Sequence, residues 1–403
     1  MKTTLLASVS LAATASLAGS PVDPCAPDDL ASIPAEGFTR HAELIGDRLF
    51  VLDGAVLSMD LAGLRVFDVA DPASPALIGR VATPGLPSDV AVSGDLAFVA
   101  DGGAGGLQVI DLSDPASPEI VGSYDSPGLA SALALLPPTS GADHRIALAD
   151  GAEGVQLVGI FGTSPDLGLT IDTDGLASDV LWTNNALYVA DGWNGVVVYD
   201  LSNPNLPFER ARVPLASSAQ RFELDDSANL LYVAQATGGI AVLDVSDPFA
   251  PVEVTEYDTP GAARGVAVSG DLVFVADAYD GLLTLDASVP PFIGIVEARD
   301  VPGAALSVAL RELDAGPIAF VAANQAGVRI LNLQTCDAFC PADFVAPFGV
   351  LDLQDISAFI GDFQNPFPIP PLDNRAELLA PPEDIADLAD IVVFVESFNA
   401  GCP

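Results

Sequence analysis

Carboxylates recur at one place in a repeated sequence, and a ring of them is one way for a chain to hold a cation. Asp53, Asp101, Asp150, Asp191 and Asp277 each follow a short apolar run such as Leu96–Ala100, and Gln235 and Ala323 stand at the two other equivalent positions. The intervals between these seven anchors are 48, 49, 41, 44, 42 and 46 residues. One carboxylate per unit at the same strand end could surround a divalent ion on an axis or rim. Alternatively each carboxylate accepts backbone N–H groups of a turn in its own unit, as aspartate does in Asx-turns. Recurrence in most units favours the structural role, because a single site needs only a few of them.

Other chemistry-bearing residues are sparse. The only histidines are His41 and His144, and no Gly-x-Ser-x-Gly, His-Glu-x-x-His or P-loop pattern occurs. Acid pairs such as Asp28-Asp29 and Asp225-Asp226 fall in expected turns, where solvation accounts for them. Trp182 lies inside an expected strand and reads as core; Trp193 lies in an expected turn, where it could stack on a sugar or a partner or simply fill space. Acidic residues number 55 against 14 basic ones, for a net charge of −41, and no lysine follows Lys2. Such a surface repels phosphate backbones and anionic headgroups, which excludes nucleic acid as a natural partner. No catalytic constellation is legible in these residues, and a non-enzymatic role is expected.

The elements that position these residues come from the repeat. Leu107-Gln108-Val109-Ile110-Asp111-Leu112-Ser113-Asp114-Pro115 returns with variation at Leu64–Pro72, Val196–Pro204 and Ile240–Pro248. Each unit divides into four short strands, as in 89–93, 96–101, 107–111 and 119–124. Gly94-Asp95 makes a tight hairpin, Asp114-Pro115 a longer turn, and Pro127-Gly128 marks the exit. Runs apolar at every position suit strands covered on both faces. Units of about 45 residues predict an all-β, seven-bladed propeller of four-stranded blades over residues 41–335. The last unit stops at Thr335-Cys336 without a fourth strand, and the N-terminal segment 19–40, around Gly37–Arg40, is expected to supply it.

The pattern Leu-x-Val-Ile-Asp-Leu-Ser-Asp-Pro resembles the LVIVD repeat, a propeller-forming repeat of exported bacterial proteins, with degraded copies in units three and six. The resemblance implies fold and export and little chemistry. The N-terminus reads independently as a secretory signal over residues 1–18: Lys2, then an apolar stretch from Leu5 to Ala18 ending in small residues. No apolar run of about 20 residues follows, so no transmembrane segment is expected. Four cysteines in an exported chain favour disulfides. Of three pairings, Cys25–Cys336 and Cys340–Cys402 are favoured, since the first would lock the ring and the second the C-terminal piece.

Residues 336–403 follow a different pattern. Ile356, Phe359, Ile360 and Phe363 form one apolar helix face, and Ile391, Phe394, Val395 and Phe398 repeat it 35 residues later. This duplicated loop–helix unit, with Cys340-Pro341-Ala342-Asp343 at its start and Gly401-Cys402-Pro403 at its end, resembles a dockerin-type module. The resemblance implies calcium as a cofactor, with Asp343, Asp352 and Asp355 as ligands in the first loop and Glu377, Asp387 and Asp390 in the second. Two departures weigh against calcium. The middle acidic positions are missing, and the loops span 13 and 14 residues rather than the usual 12. Helix capping by the same aspartates is the competing role, and the departures favour it slightly.

The expectation is a secreted or cell-surface monomer: a non-catalytic scaffold for binding or display, attached to a protein or cell-envelope partner through its dockerin-like module. The alternative is an exported cation-dependent hydrolase or lyase that uses the central cavity. A polar central pocket with an open carboxylate site favours the alternative; an apolar or backbone-lined channel favours the scaffold.

Overall fold

The computed structural model describes residues 29–54, 62–138, 141–289, 292–313 and 316–333. The signal segment, all four cysteines and the whole 336–403 module, including Asp343, Asp352, Asp355, Glu377, Asp387 and Asp390, lie outside them.

The described chain forms seven four-stranded antiparallel sheets, the blades of a closed propeller. In blade 2 the strands are Asp89–Ser93, Leu96–Ala100, Leu107–Asp111 and Glu119–Tyr124, running from the axis outward. Its second strand is apolar throughout because both faces are covered: Ala97, Phe98, Val99 and Ala100 are fully buried. Each of seven hydrophobic clusters joins two adjacent blades; one packs Phe98 and Val109 of blade 2 on Leu133, Ile146 and Val158 of blade 3. Trp182 packs in the same way between blades 3 and 4.

The Asp-Leu-Ser-Asp-Pro signature is a turn with two caps. Asp111 Oδ1 accepts from Ser113 N at 2.8 Å and Asp114 Oδ1 from Ala116 N at 3.1 Å. Asp200, Asp244 and Asp286 accept from Ser202, Ser246 and Ser288 in the same way. Bonds from the following serine hold Asp111, Asp200, Asp244 and Asp286 below the usual carboxylate range.

Both ends of the repeat region close the ring. Blade 7 contributes Ser307–Arg311, Ile318–Ala322 and Val328–Asn332, and its outer strand is Asp29–Ile33 from the N-terminus. The closing strand thus lies upstream of the expected 37–40 stretch. Phe38–Ile45 is instead the innermost strand of blade 1, because its apolar residues pair with Arg48–Gly54. Ile33 enters a cluster with Leu49 and Val51 of blade 1 and Phe320 and Ile330 of blade 7. An Asp29–Arg329 ion pair adds to the seam.

Candidate functional site: the central channel

The recurring strand-end aspartates are construction. Asp101, Asp150, Asp191 and Asp277 each hold the linker that leads into their own blade, a Thr/Ser-x-Gly segment. Asp101 accepts from Thr83 Oγ1 at 2.6 Å and Gly85 N at 2.9 Å. Asp150 accepts from Ser126 and Gly128, and Asp277 from Thr259 and Gly261. Asp191 takes Gly175 N and Asn194 Nδ2. Asp53 takes Thr39 and the Arg65 guanidinium. In blade 5, Gln235 Oε1 substitutes by accepting Ser217 N at 3.1 Å. The carboxylates are thus engaged within separate blades rather than converging on the axis. Replacing Asp277 with alanine removes two acceptor bonds from a fully buried group and strands a buried hydroxyl. A loss of about 2 kcal/mol is expected by urea denaturation.

The axis is lined by other residues. Strand register puts His41, Asp89, Ala132, Asp179, Arg221, Gly265 and Ser307 at equivalent positions, one per blade, at the start of the innermost strands. Three of them staple the ring through their side chains. Asp89 Oδ2 accepts from Leu133 N at 2.8 Å, Asp179 Oδ2 from Phe222 N at 2.7 Å and Ser307 Oγ from Ala42 N at 3.1 Å, each to the next blade. Arg221 instead spans the lumen. From blade 5 it reaches Asp89 Oδ1 of blade 2 at 3.2 Å and the Ser88 carbonyl at 2.9 Å. His41 Nε2 lies 3.4 Å from Asp89 and 3.6 Å from Glu43. Its ring nitrogens are buried without a hydrogen-bond partner among the described residues. Two residues further along their strands, on the same face, Glu43 and Glu223 continue the lining of a cavity of about 160 Å³.

This lining is polar, which meets one of the two conditions set for the enzymatic alternative. Among the described residues no group of three or more His, Cys, Asp or Glu is arranged to hold a metal ion. Sequence reasoning noted His41 only as one of two histidines, without a role, and missed Asp89, Asp179, Arg221 and Glu223. The signal was a departure within the repeat: where one unit reads Gly265-Val266-Ala267, others read Asp179-Val180-Leu181 and Arg221-Phe222-Glu223.

Burial in the narrow channel raises Glu223 to about 8, with the Glu43 charge adding to it. Burial raises Asp179 to about 6 despite Arg221, and raises Asp101 to about 6 despite Thr83 and Gly85. A carboxyl whose folded value lies above its unfolded value favours folding while protonated, and that stability is lost as pH rises through the folded value. Thermal melts should therefore show Tm falling between about pH 5 and about pH 9. The capped Asp111, Asp200, Asp244 and Asp286 work oppositely and withdraw stability below about pH 4. Net charge contributes to the upper limb, so Glu223→Gln separates the two causes: it should flatten the limb between about pH 7 and about pH 9. A Tm that is constant or rises over that range contradicts the assignment.

Above the ring the channel widens to a mouth of about 470 Å³, lined by Phe38, Arg40, Arg221, Arg264, Tyr279 and Asn324 among others. It opens on the face that carries the turns between second and third strands. Trp193, in such a turn of blade 4, is 75% exposed, and Tyr279, its counterpart in blade 6, is 82% exposed. Neither is core filler.

The described residues contain no helix long and apolar enough to cross a membrane. No curated protein matches the chain. Among solved structures, the β-propeller domain of Myceliophteria thermophila Cps50 (Swd1) aligns with TM-score 0.59 at 14% identity, covering 75% of this chain and 99% of that one. The computationally designed Ika8 protein aligns with TM-score 0.54 at 11% identity over 75% and 99% of the two chains. A provisionally assigned 6-phosphogluconolactonase from Bacteroides uniformis aligns with TM-score 0.55 at 14% identity over 66% and 85%. At these identities the likeness is one of fold. A scan of protein families matches the LVIVD repeat at residues 60–83, 84–126, 174–214, 227–259 and 260–297. Unit six is thus matched despite its altered turn, whereas unit three, whose Gly162-Thr163 hairpin replaces the Asp-Pro turn, falls between matches. The chain carries LVIVD repeats, built into a seven-bladed β-propeller of four-stranded blades.

Proposed function

We propose that the chain is an exported binding or display scaffold that works at the cell surface or outside the cell, with the propeller as platform and residues 336–403 as a dockerin-like attachment module. The observation that carries the non-catalytic reading is how the carboxylates are employed. Asp101, Asp150, Asp191 and Asp277 hold linkers, Asp53 ties Thr39 and Arg65 within its own blade, and Asp89 and Asp179 staple neighbouring blades. The exposed Trp193 and Tyr279 support binding at the channel-mouth face. Calcium, held by Asp343, Asp352, Asp355, Glu377, Asp387 and Asp390, and the Cys25–Cys336 and Cys340–Cys402 pairings belong to the same proposal.

The polar channel with His41 and Glu223 keeps the hydrolase or lyase as the second reading, to which the lactonase-like fold neighbour adds a precedent of shape alone. Retention on cell-envelope material tests the first. The mature chain should be retained, and a chain ending at residue 335 should not. Equal retention of both, or of neither, counts against attachment through the module. Peptide mapping that fails to join Cys25 to Cys336 removes the proposed lock on the ring.

A further inference from the structure

We infer that the channel mouth is a binding site for a small organic anion, recognised through a phosphate or carboxylate group by Arg40 and Arg264, with Arg221 beneath them. This deepens the binding reading above by naming a ligand class for the propeller, and it rests on that reading.

The first argument is charge placement. The chain has 55 acidic residues and 14 basic ones, so an arginine has abundant potential partners. Three arginines nevertheless line one cavity. Among the described residues Arg40 has no acidic partner, and Arg264 makes only a long contact of 3.4 Å to the neutral Gln220 Oε1. Arg221 is engaged below by Asp89 and the Ser88 carbonyl. Partial desolvation at the mouth and the nearby Arg221 disfavour the charge on Arg40, although the residue as a whole remains exposed. Like charges gathered at one mouth, two of them without an acidic partner among the described residues, repel one another, and a bound anion offsets that cost. Planar guanidinium forks suit phosphate and carboxylate equally.

The second argument is size and surroundings. A cavity of about 470 Å³ falls within the usual range for small-molecule sites. A large polyanion would have to lie across a surface of net charge −41, whereas a small one meets only the local arginines. Tyr279 stands at the rim with its ring exposed, in position to cover the apolar face of a sugar.

The test uses the mature full chain and isothermal titration at low salt, with glucose 6-phosphate, glucuronate and glucose as probes. The two charged probes separate a phosphate source from a carboxylate source, and glucose controls for the sugar. Saturable binding of at least one charged probe is expected, with Kd on the order of 0.1 mM, and none of glucose. Salt should weaken it. Arg40→Gln and Arg264→Gln should each weaken it about 10-fold with unchanged Tm, a loss typical of one charge-assisted contact. Arg80→Gln, which breaks a surface pair with Glu36, should not change it. Arg221 is left intact because it also braces the channel. The inference is overturned if neither charged probe binds at up to about 10 mM, or if both arginine variants bind as the parent does. Envelope retention is read separately, so attachment can hold while the anion site fails, and the reverse.

Discussion

Gly327→Ala is expected to unlock the ring. Gly327 immediately precedes the third strand of blade 7 at φ +81°, and a Cβ there would lie 1.9 Å from the Ile33 carbonyl oxygen and 2.6 Å from Ala35 N. Both atoms belong to the segment that brings the closing strand into blade 7, so the added methyl pushes against the one element that joins the two ends. The left-handed backbone alone costs an alanine about 1 kcal/mol, and the backbone clash brings the total to about 3 kcal/mol or more. For a domain of this size that corresponds to a fall in Tm of roughly 6 °C or more. Gly46→Ala provides the comparison. It has φ +60° but nothing within 4 Å of its Cβ, so it carries the conformational cost without the clash. Hydrogen exchange should show Asp29–Ile33 losing protection first in the Gly327 variant, since that strand is held by a single neighbour. Equal melting of the two variants would falsify the account.

The same glycine position recurs at Gly63, Gly106, Gly154, Gly195, Gly239 and Gly281, where a Cβ would meet an outer-strand carbonyl oxygen at 2.1 to 2.2 Å. This explains why the fold was legible. The glycine, the Asp-Pro turn and the apolar second strand each satisfy a local requirement that returns in every blade, so repetition amplifies the signal. The strand-end aspartates were legible for the same reason, and their structural role follows from their number. The closing strand was placed less well because Asp29–Ile33 belongs to no complete unit and carries little pattern of its own. The channel was hidden by the opposite effect. His41, Asp89, Asp179 and Arg221 share one register position yet differ in type, so no motif links them in the sequence. Only closure of the ring brings blade 2 opposite blade 5 and sets Arg221 on Asp89, 132 residues away.

That cross-channel contact carries the second large expected effect. Arg221→Leu should destabilise the propeller by about 3 kcal/mol at neutral pH, near the lower end for breaking a buried pair because Arg221 retains 23% side-chain exposure. The loss comes from what is left behind. Asp89 keeps its bond from Leu133 N but loses its counter-charge, and Asp179, already raised to about 6 by burial, loses the arginine that holds it down. Asp179 should shift further upward, so the defect should shrink as pH falls from about 8 to about 5 and a proton takes the place of the guanidinium. A defect due to lost packing would not depend on pH, which makes the pH series the decisive measurement. Asp89→Asn on the Arg221→Leu background should recover much of the loss, since an asparagine oxygen can still accept from Leu133 N while the uncompensated charge is gone. The double-mutant cycle should then give a coupling of at least about 1 kcal/mol. Additive single and double variants, or an Arg221→Leu defect of the same size at both ends of the pH range, would show that the arginine fills the channel without bracing it.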